Sequence, residues 1–244
     1  MIKFFRKIRQ NMIKENKVSK YFIYAIGEIV LVVIGILIAL QINNWNEQRK
    51  SNQLSKEFHQ KLADELDGVI IRFKGDANRA AELVNYIGKT VIILKKGHLT
   101  KKGKDTLDFT LRNFFQFVRI EGKLKTFQEL ESTGQLGLIY NKELKFKTLE
   151  YLSLFEAVSK MYDQMASQVN ETEIVDKHVT LLVDPNSINS KLDYNFKHLA
   201  DDKFLIIRLA RFGFFWQTKQ FFSESISESS KKLKEAYIAE INEK

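Results

Sequence analysis

The chain has 244 residues, 44% apolar and 28% charged, a composition that excludes wholesale disorder and leaves enough apolar surface for a packed core. It has no cysteine, which excludes disulfides, thiolate metal sites and a cysteine nucleophile together, and one proline with 11 glycines, which favours helices. The formal charge of +9 is concentrated at the start, where Lys3, Arg6, Lys7, Arg9, Lys14, Lys17 and Lys20 face Glu15 alone, while lysines and acids interleave afterwards. That distribution argues against nucleic acid as a partner and makes membrane topology the source of the excess.

Residues 1–20 are expected to form a basic amphipathic leader, with Phe5, Ile8 and Met12 on one helical face. Such a helix lies in the membrane interface and holds anionic lipid; docking of a cytoplasmic partner is the alternative. Residues 21–42, YFIYAIGEIVLVVIGILIALQI, carry one ionisable side chain, Glu28. As a helix this stretch is ~33 Å long, enough to cross a hydrocarbon core of ~30 Å, and it is read as a transmembrane helix. Beyond it the flank holds only Arg49, Lys50, Lys56 and Lys61 in its first 20 residues, against the seven cations before the span. The positive-inside bias therefore predicts a cytoplasmic N-terminus and a periplasmic C-terminal domain on the inner (cytoplasmic) membrane. The apolar run is too long for a cleaved signal peptide and no small-x-small site precedes Asn43, so an uncleaved signal anchor is expected.

Glu28 needs a reason, because a carboxylate inside a span costs roughly 2.5–3.5 kcal/mol on insertion scales. Glu28, Gly35 and Ala39 recur at i, i+7 and i+11, on one helical face. Gly35 and Ala39 form a small-xxx-small pair that lets a second helix approach closely, and a carboxyl beside it can hydrogen-bond across the contact. These three residues are the candidate membrane-helix packing site, with a second copy or another envelope membrane protein as partner. The alternative is that Glu28, about two turns inside the boundary, reaches back toward headgroups.

The stretches FFRKIRQ at residues 4–10, YAIGEI at 24–29 and VIGILIALQINNWNE at 33–47 resemble the opening signature of an uncharacterised membrane-protein family common in Bacteroidetes. The likeness is near-verbatim over residues 1–47. A weaker echo, TFQELESTGQLGLIYN at 126–141, resembles that family's mid-domain helix–Gly–helix joint. The resemblance implies a single-pass protein with a helical outer domain and supplies no activity.

Residues 43–244 read as an all-α domain, an antiparallel bundle of about four long helices. Leu66, Val69, Phe73, Ala77, Ala80, Val84, Ile87, Val91 and Leu94 recur at spacings of three or four, the pattern of a packed, coiled-coil-like helix. Leu54, Phe58 and Leu62 continue it upstream, and KKGHLTKKGK at 95–104 ends it. Asp105 is expected to cap a helix over 106–117, and Gly134 to stop a short helix over 127–133 in the left-handed conformation. Asn141 is expected to cap a long helix with the stripe Leu144, Thr148, Tyr151, Phe155, Val158, Tyr162, Met165 and Val169. After a turn at 184–187 and an irregular stretch to Asp202, a final helix should run to about Asn242. Its first half, FLIIRLARFGFFWQTKQFF, is apolar nearly all round, which predicts burial, with a place on the membrane surface as the alternative.

His59, His98, His178 and His198 are scattered, without HExxH or an i, i+4 pair, and no GxSxG, Walker A or GxGxxG motif is present. The expectation is no enzyme, no metal and no cofactor. Function is read as a membrane-anchored extracytoplasmic interaction or scaffold module. A ligand-sensing helical domain that signals through a partner protein is the alternative.

Overall fold

The computed structural model describes residues 18–118, 124–170, 173–183 and 191–242. The leader helix expected before residue 18 and the turn expected at 184–187 lie outside these residues. In chain order the elements are α1 (Val18–Lys96), α2 (Lys101–Asn113), α3 (Lys125–Ser132), a 3-10 turn at Leu136–Leu138, α4 (Lys142–Val169) and α5 (Glu173–Asp176). Then follow β1 (Val179–Leu182), β2 (Lys191–Tyr194), α6 (Phe196–Asp201) and α7 (Lys203–Asn242). The chain divides into two compact units, Met1–Ser55 and Lys56–Lys244.

The first unit contains the apolar stretch of α1. From Phe22 to Ile42 its large apolar side chains are exposed, and the helix is long and apolar enough to cross a membrane. An apolar surface presented on all sides is disfavoured in water, and hydrocarbon removes that cost.

The second unit has its own core. Three long helices build it: residues 56–96 of α1, the 28 residues of α4 and the 40 of α7. Buried hydroxyl pairs give α4 and α7 opposite directions: Thr148 with Tyr237 at 2.7 Å, Tyr151 with Ser230 at 2.9 Å, and Tyr162 donating to the Lys219 carbonyl at 2.7 Å. Antiparallel contacts also join α7 to α1, where Lys234 bonds Asp67 at 2.7 Å and Gly213 lies against Ile87. The much shorter α2 packs antiparallel on the end of α1: Gly103 lies against Ile93, Thr90 is bonded to Thr110 at 2.7 Å, and Arg79 donates to Asn113 at 2.9 Å. About four long helices were expected; among the described residues three are long, and α2 has 13 residues.

The stripes predicted from spacing lie largely in the core, with local shifts: in α1 Leu54 is exposed, and Leu83 and Thr90 are the buried residues beside half-buried Val84 and Val91. In α4 the buried residue in the penultimate turn is Ala166, and Met165 is half-buried beside it. Asn141 caps α4, its Oδ1 accepting from the Leu144 amide at 3.1 Å while its Nδ2 donates to Glu240 at 2.9 Å. Gly134 takes the left-handed conformation after α3 (φ 70°), as a C′ glycine does. The start of α3 is capped from outside, because Glu65 on α1 accepts the Thr126 amide at 3.1 Å and its hydroxyl at 2.8 Å.

Two expectations are corrected. Thr100, not Asp105, caps α2: its hydroxyl accepts from the Gly103 amide at 3.0 Å, so Gly103 is helical and the lysine-rich stretch joins the helix. The domain is also not purely helical. Val179–Leu182 and Lys191–Tyr194 pair as antiparallel strands, with Val179 opposite Tyr194 and Leu182 opposite Lys191. Four-residue strands carry too little alternation to stand out in sequence.

The buried hydroxyls make the fold sensitive to alkali. Burial raises the phenols of Tyr151, Tyr162 and Tyr237, the last to about 12. Unfolded tyrosines ionise near 10, so above that pH the unfolded chain has released protons that the folded one retains. Stability is therefore fully present below pH ~10 and falls as pH rises toward the folded values. We predict cooperative loss of helix, followed by circular dichroism of the full chain in detergent, coincident with the tyrosinate absorbance. Tyrosinate appearing well before helix loss would contradict this.

Candidate functional site

Glu28, Gly35 and Ala39 all lie in α1, Gly35 and Ala39 are exposed, and a Cβ added at Gly35 would meet open space. Where the apolar stretch ends, polar side chains bond along the helix: Asn43 donates to Glu47 at 3.0 Å, and the Arg49 guanidinium lies 5.7 Å from the Trp45 ring centre. A tryptophan with a cation beside it suits the headgroup level of a membrane.

In the second unit α7 carries a buried cation, Lys219. It is 2% exposed, on the core side of α7. Its Nζ lies 4.7 Å from the Phe117 ring centre, 5.4 Å from Trp216 and 5.5 Å from Tyr162. The same amine donates to the Val118 carbonyl at 2.9 Å, and the Trp216 indole donates to the Phe114 carbonyl at 2.9 Å. Burial lowers the amine below the ordinary lysine range; Asp76 opposes that shift and Arg72 adds to it. Together these bonds hold residues 114–118 onto α7 with a cation among aromatic faces, where ring quadrupoles replace part of its lost hydration. The sequence signal for this was available, since Phe212, Trp216, Lys219 and Ser223 recur at core spacing.

A half-open cavity of about 550 Å³ lies beside this segment, lined by Leu111, Phe114, Phe115, Val179 and Leu192, with Arg112 and Asp176 as its charged members. Its walls come from α2, α5 and the strand pair. Next to it His178 bonds Asp202 at 2.7 Å, while Asp202 caps α7 through the Phe204 and Leu205 amides. Those amides and the imidazole hold the Asp202 carboxyl below its usual range, the Leu205 amide contributing most. Among the described residues no three His, Asp or Glu side chains converge as a metal site.

Residues 28–102 match a family described as Family of unknown function (DUF6090). The matched stretch begins at Glu28, takes in Gly35 and Ala39 and the α1 core stripe, and ends at the start of α2. A comparison with curated proteins finds no match. Over that stretch the chain is similar to an uncharacterised domain family.

Lys219 yields a prediction with opposite signs for two substitutions. Lys219→Met keeps the aliphatic volume and removes a buried charge, so stability at neutral pH should be equal or higher by about 1 kcal/mol. Lys219→Ala leaves a cavity and should lose about 2–3 kcal/mol. Because the amine binds its proton less tightly when folded, the unfolded chain holds more protons between the folded value and ~10.4. Wild-type stability therefore gains with rising pH in that window relative to Lys219→Met, and thermal unfolding at pH ~7 and pH ~9.5 reads the difference. A Lys219→Met chain much weaker than wild type at neutral pH would show that the amine's bonds outweigh its burial.

Proposed function

We propose that this chain is a membrane-anchored interaction or scaffold module, with its helical unit outside the cytoplasm and bound to another envelope protein or to a second copy. The observation that carries this reading is one chain combining an apolar helix exposed along its length with a separate helical unit that has a hydrophobic core of its own. The cation-rich flank before the span supports a cytoplasmic N-terminus and a periplasmic domain on the inner membrane. The likeness of residues 1–47 to a Bacteroidetes single-pass family supports the same placement. In this reading the protein is not an enzyme and uses no cofactor; the buried Thr, Tyr, Ser and Lys groups work as helix-to-helix ties. The cavity beside residues 114–118 favours a second reading, a sensor of small apolar ligands, since its volume and lining suit such a molecule.

Within the membrane, the face of Glu28, Gly35 and Ala39 is proposed to pack against another helix. Gly35→Ile should weaken association of the span by about 1 kcal/mol or more, while Val33→Ile, off that face, should leave it unchanged. A membrane-helix association assay reads both, and equal association for wild type and Gly35→Ile would leave Glu28 as a residue reaching for headgroups.

The scaffold reading is tested by in-cell crosslinking of the full chain, with a reporter active only outside the cytoplasm fused after Lys244. An active reporter and a saturable crosslink to a defined envelope protein or to the chain itself are expected. An inactive reporter would overturn the compartment. A ligand that raises the thermal transition without any crosslinked partner would favour the sensor, because binding only to the folded state raises its stability.

A further inference from the structure

The strand pair turns one face toward α2. Side chains alternate along a strand, and Leu181 stands opposite Leu192 with Val179 opposite Tyr194, so these four share a face. At Tyr194 that face is clamped: the phenol donates to the Asp108 carboxylate, and the Lys104 amine lies 5.3 Å from the ring centre. From Leu111 onward the same face bounds the cavity of about 550 Å³, with Val179, Leu181 and Leu192 as one wall and Leu111, Phe114 and Phe115 as the other. The second wall is held as well, since the Phe114 ring stacks on Phe212 at 5.3 Å and the Trp216 indole bonds its carbonyl. An apolar space whose walls are fixed by contacts of their own is built before a ligand arrives.

We propose that this cavity binds a small monocarboxylic acid, with its apolar tail between the strand pair and residues 111–115 and its carboxylate on Arg112. The volume is in the range of pockets that take small molecules. The head group follows from the charges at the mouth. Arg112 is half-buried, so its guanidinium has given up part of its water, whereas Asp176 is exposed. A second guanidinium comes close, because Arg79 donates at 3.0 Å to the side chain of Gln116, another lining residue. Glu82, 3.9 Å from Arg79, offsets part of that charge. Arg112 has an interaction of its own within the protein, and its planar fork of five donors serves a carboxylate beside it. An amine head would have to settle on exposed Asp176 with two guanidinium groups nearby, and a neutral head would gain no charge-assisted bond. This names the ligand class for the sensor reading above and rests on it.

The chain has no cysteine, so an introduced thiol reports occupancy of the cavity. Leu181→Cys places it on the cavity face and Leu182→Cys on the opposite face of the same strand, at positions 55 and 49% exposed. Full-length variants in neutral-lipid nanodiscs are labelled with a small thiol reagent in the presence of octanoate, octan-1-ol or octylamine. Octanoate should slow labelling of Leu181→Cys at concentrations at least about tenfold below the other two, the size of one bond to a charged group, and leave Leu182→Cys unchanged. Arg112→Gln should abolish that preference while octan-1-ol still protects, which shows the cavity intact. Arg112→Lys, which keeps the charge, should retain part of it. Equal protection by octanoate and octan-1-ol, or a preference that survives Arg112→Gln, would overturn the proposal and leave a sensor of neutral apolar ligands standing. Equal slowing of Leu182→Cys would overturn it too, since the ligand would then act outside the cavity. No protection by any of the three removes both the site and the sensor reading.

Discussion

The second unit depends on the register between α4 and α7. Apolar stripes at heptad spacing can slide by one turn and still bury similar area, so hydrophobic packing alone leaves that register loose. The hydroxyls remove the freedom. Thr148 and Tyr237, Tyr151 and Ser230, and Tyr162 with Ser223 and the Lys219 carbonyl each satisfy one another inside the core. A slip of one turn would strand these groups away from water, at about 1–3 kcal/mol for each group left unpaired. Packing supplies the bulk of the stabilisation, and the polar rungs select one arrangement.

That register carries its consequences along α7. With Tyr162 bonded to the Lys219 carbonyl, the Lys219 amine is directed into the rings of Phe117, Trp216 and Tyr162 and reaches the Val118 carbonyl. Trp216 bonds the Phe114 carbonyl one turn earlier on the same face. Residues 114–118 therefore owe their place to α7, although α2 leads into them in sequence. The cavity beside Phe114 and Phe115 inherits its shape from the same contact. At the other end of α4, Asn141 bonds Glu240, so the cap of one helix is tied to the last turns of another.

Exposed apolar surface occurs in two forms in this chain. Along residues 22–42 it covers all sides of the helix, which is long and apolar enough to cross a membrane. On α7 it is confined to one stripe, opposite a face that is already in the core.

Much of the fold was legible because helix periodicity is a local property. Residues 21–42 by themselves determine a helix able to span a membrane, and the stripes from Leu66 and Leu144 determine which faces of α1 and α4 turn inward. Asn141 and Gly134 declare their roles for the same reason, since a side-chain cap and a left-handed turn are settled within four residues. Other features depend on groups remote in sequence. Thr100 and Asp105 are both competent caps, and the early start of α2 goes with packing against α1 through Thr90–Thr110 and Tyr86–Phe109. The strands at 179–182 and 191–194 exist by pairing with each other. Lys219 occupies a core position that its spacing announces, but its charge marks it as a surface residue. Only tertiary structure decided otherwise, because aromatic faces and the Val118 carbonyl, about a hundred residues earlier, replace the water it gives up.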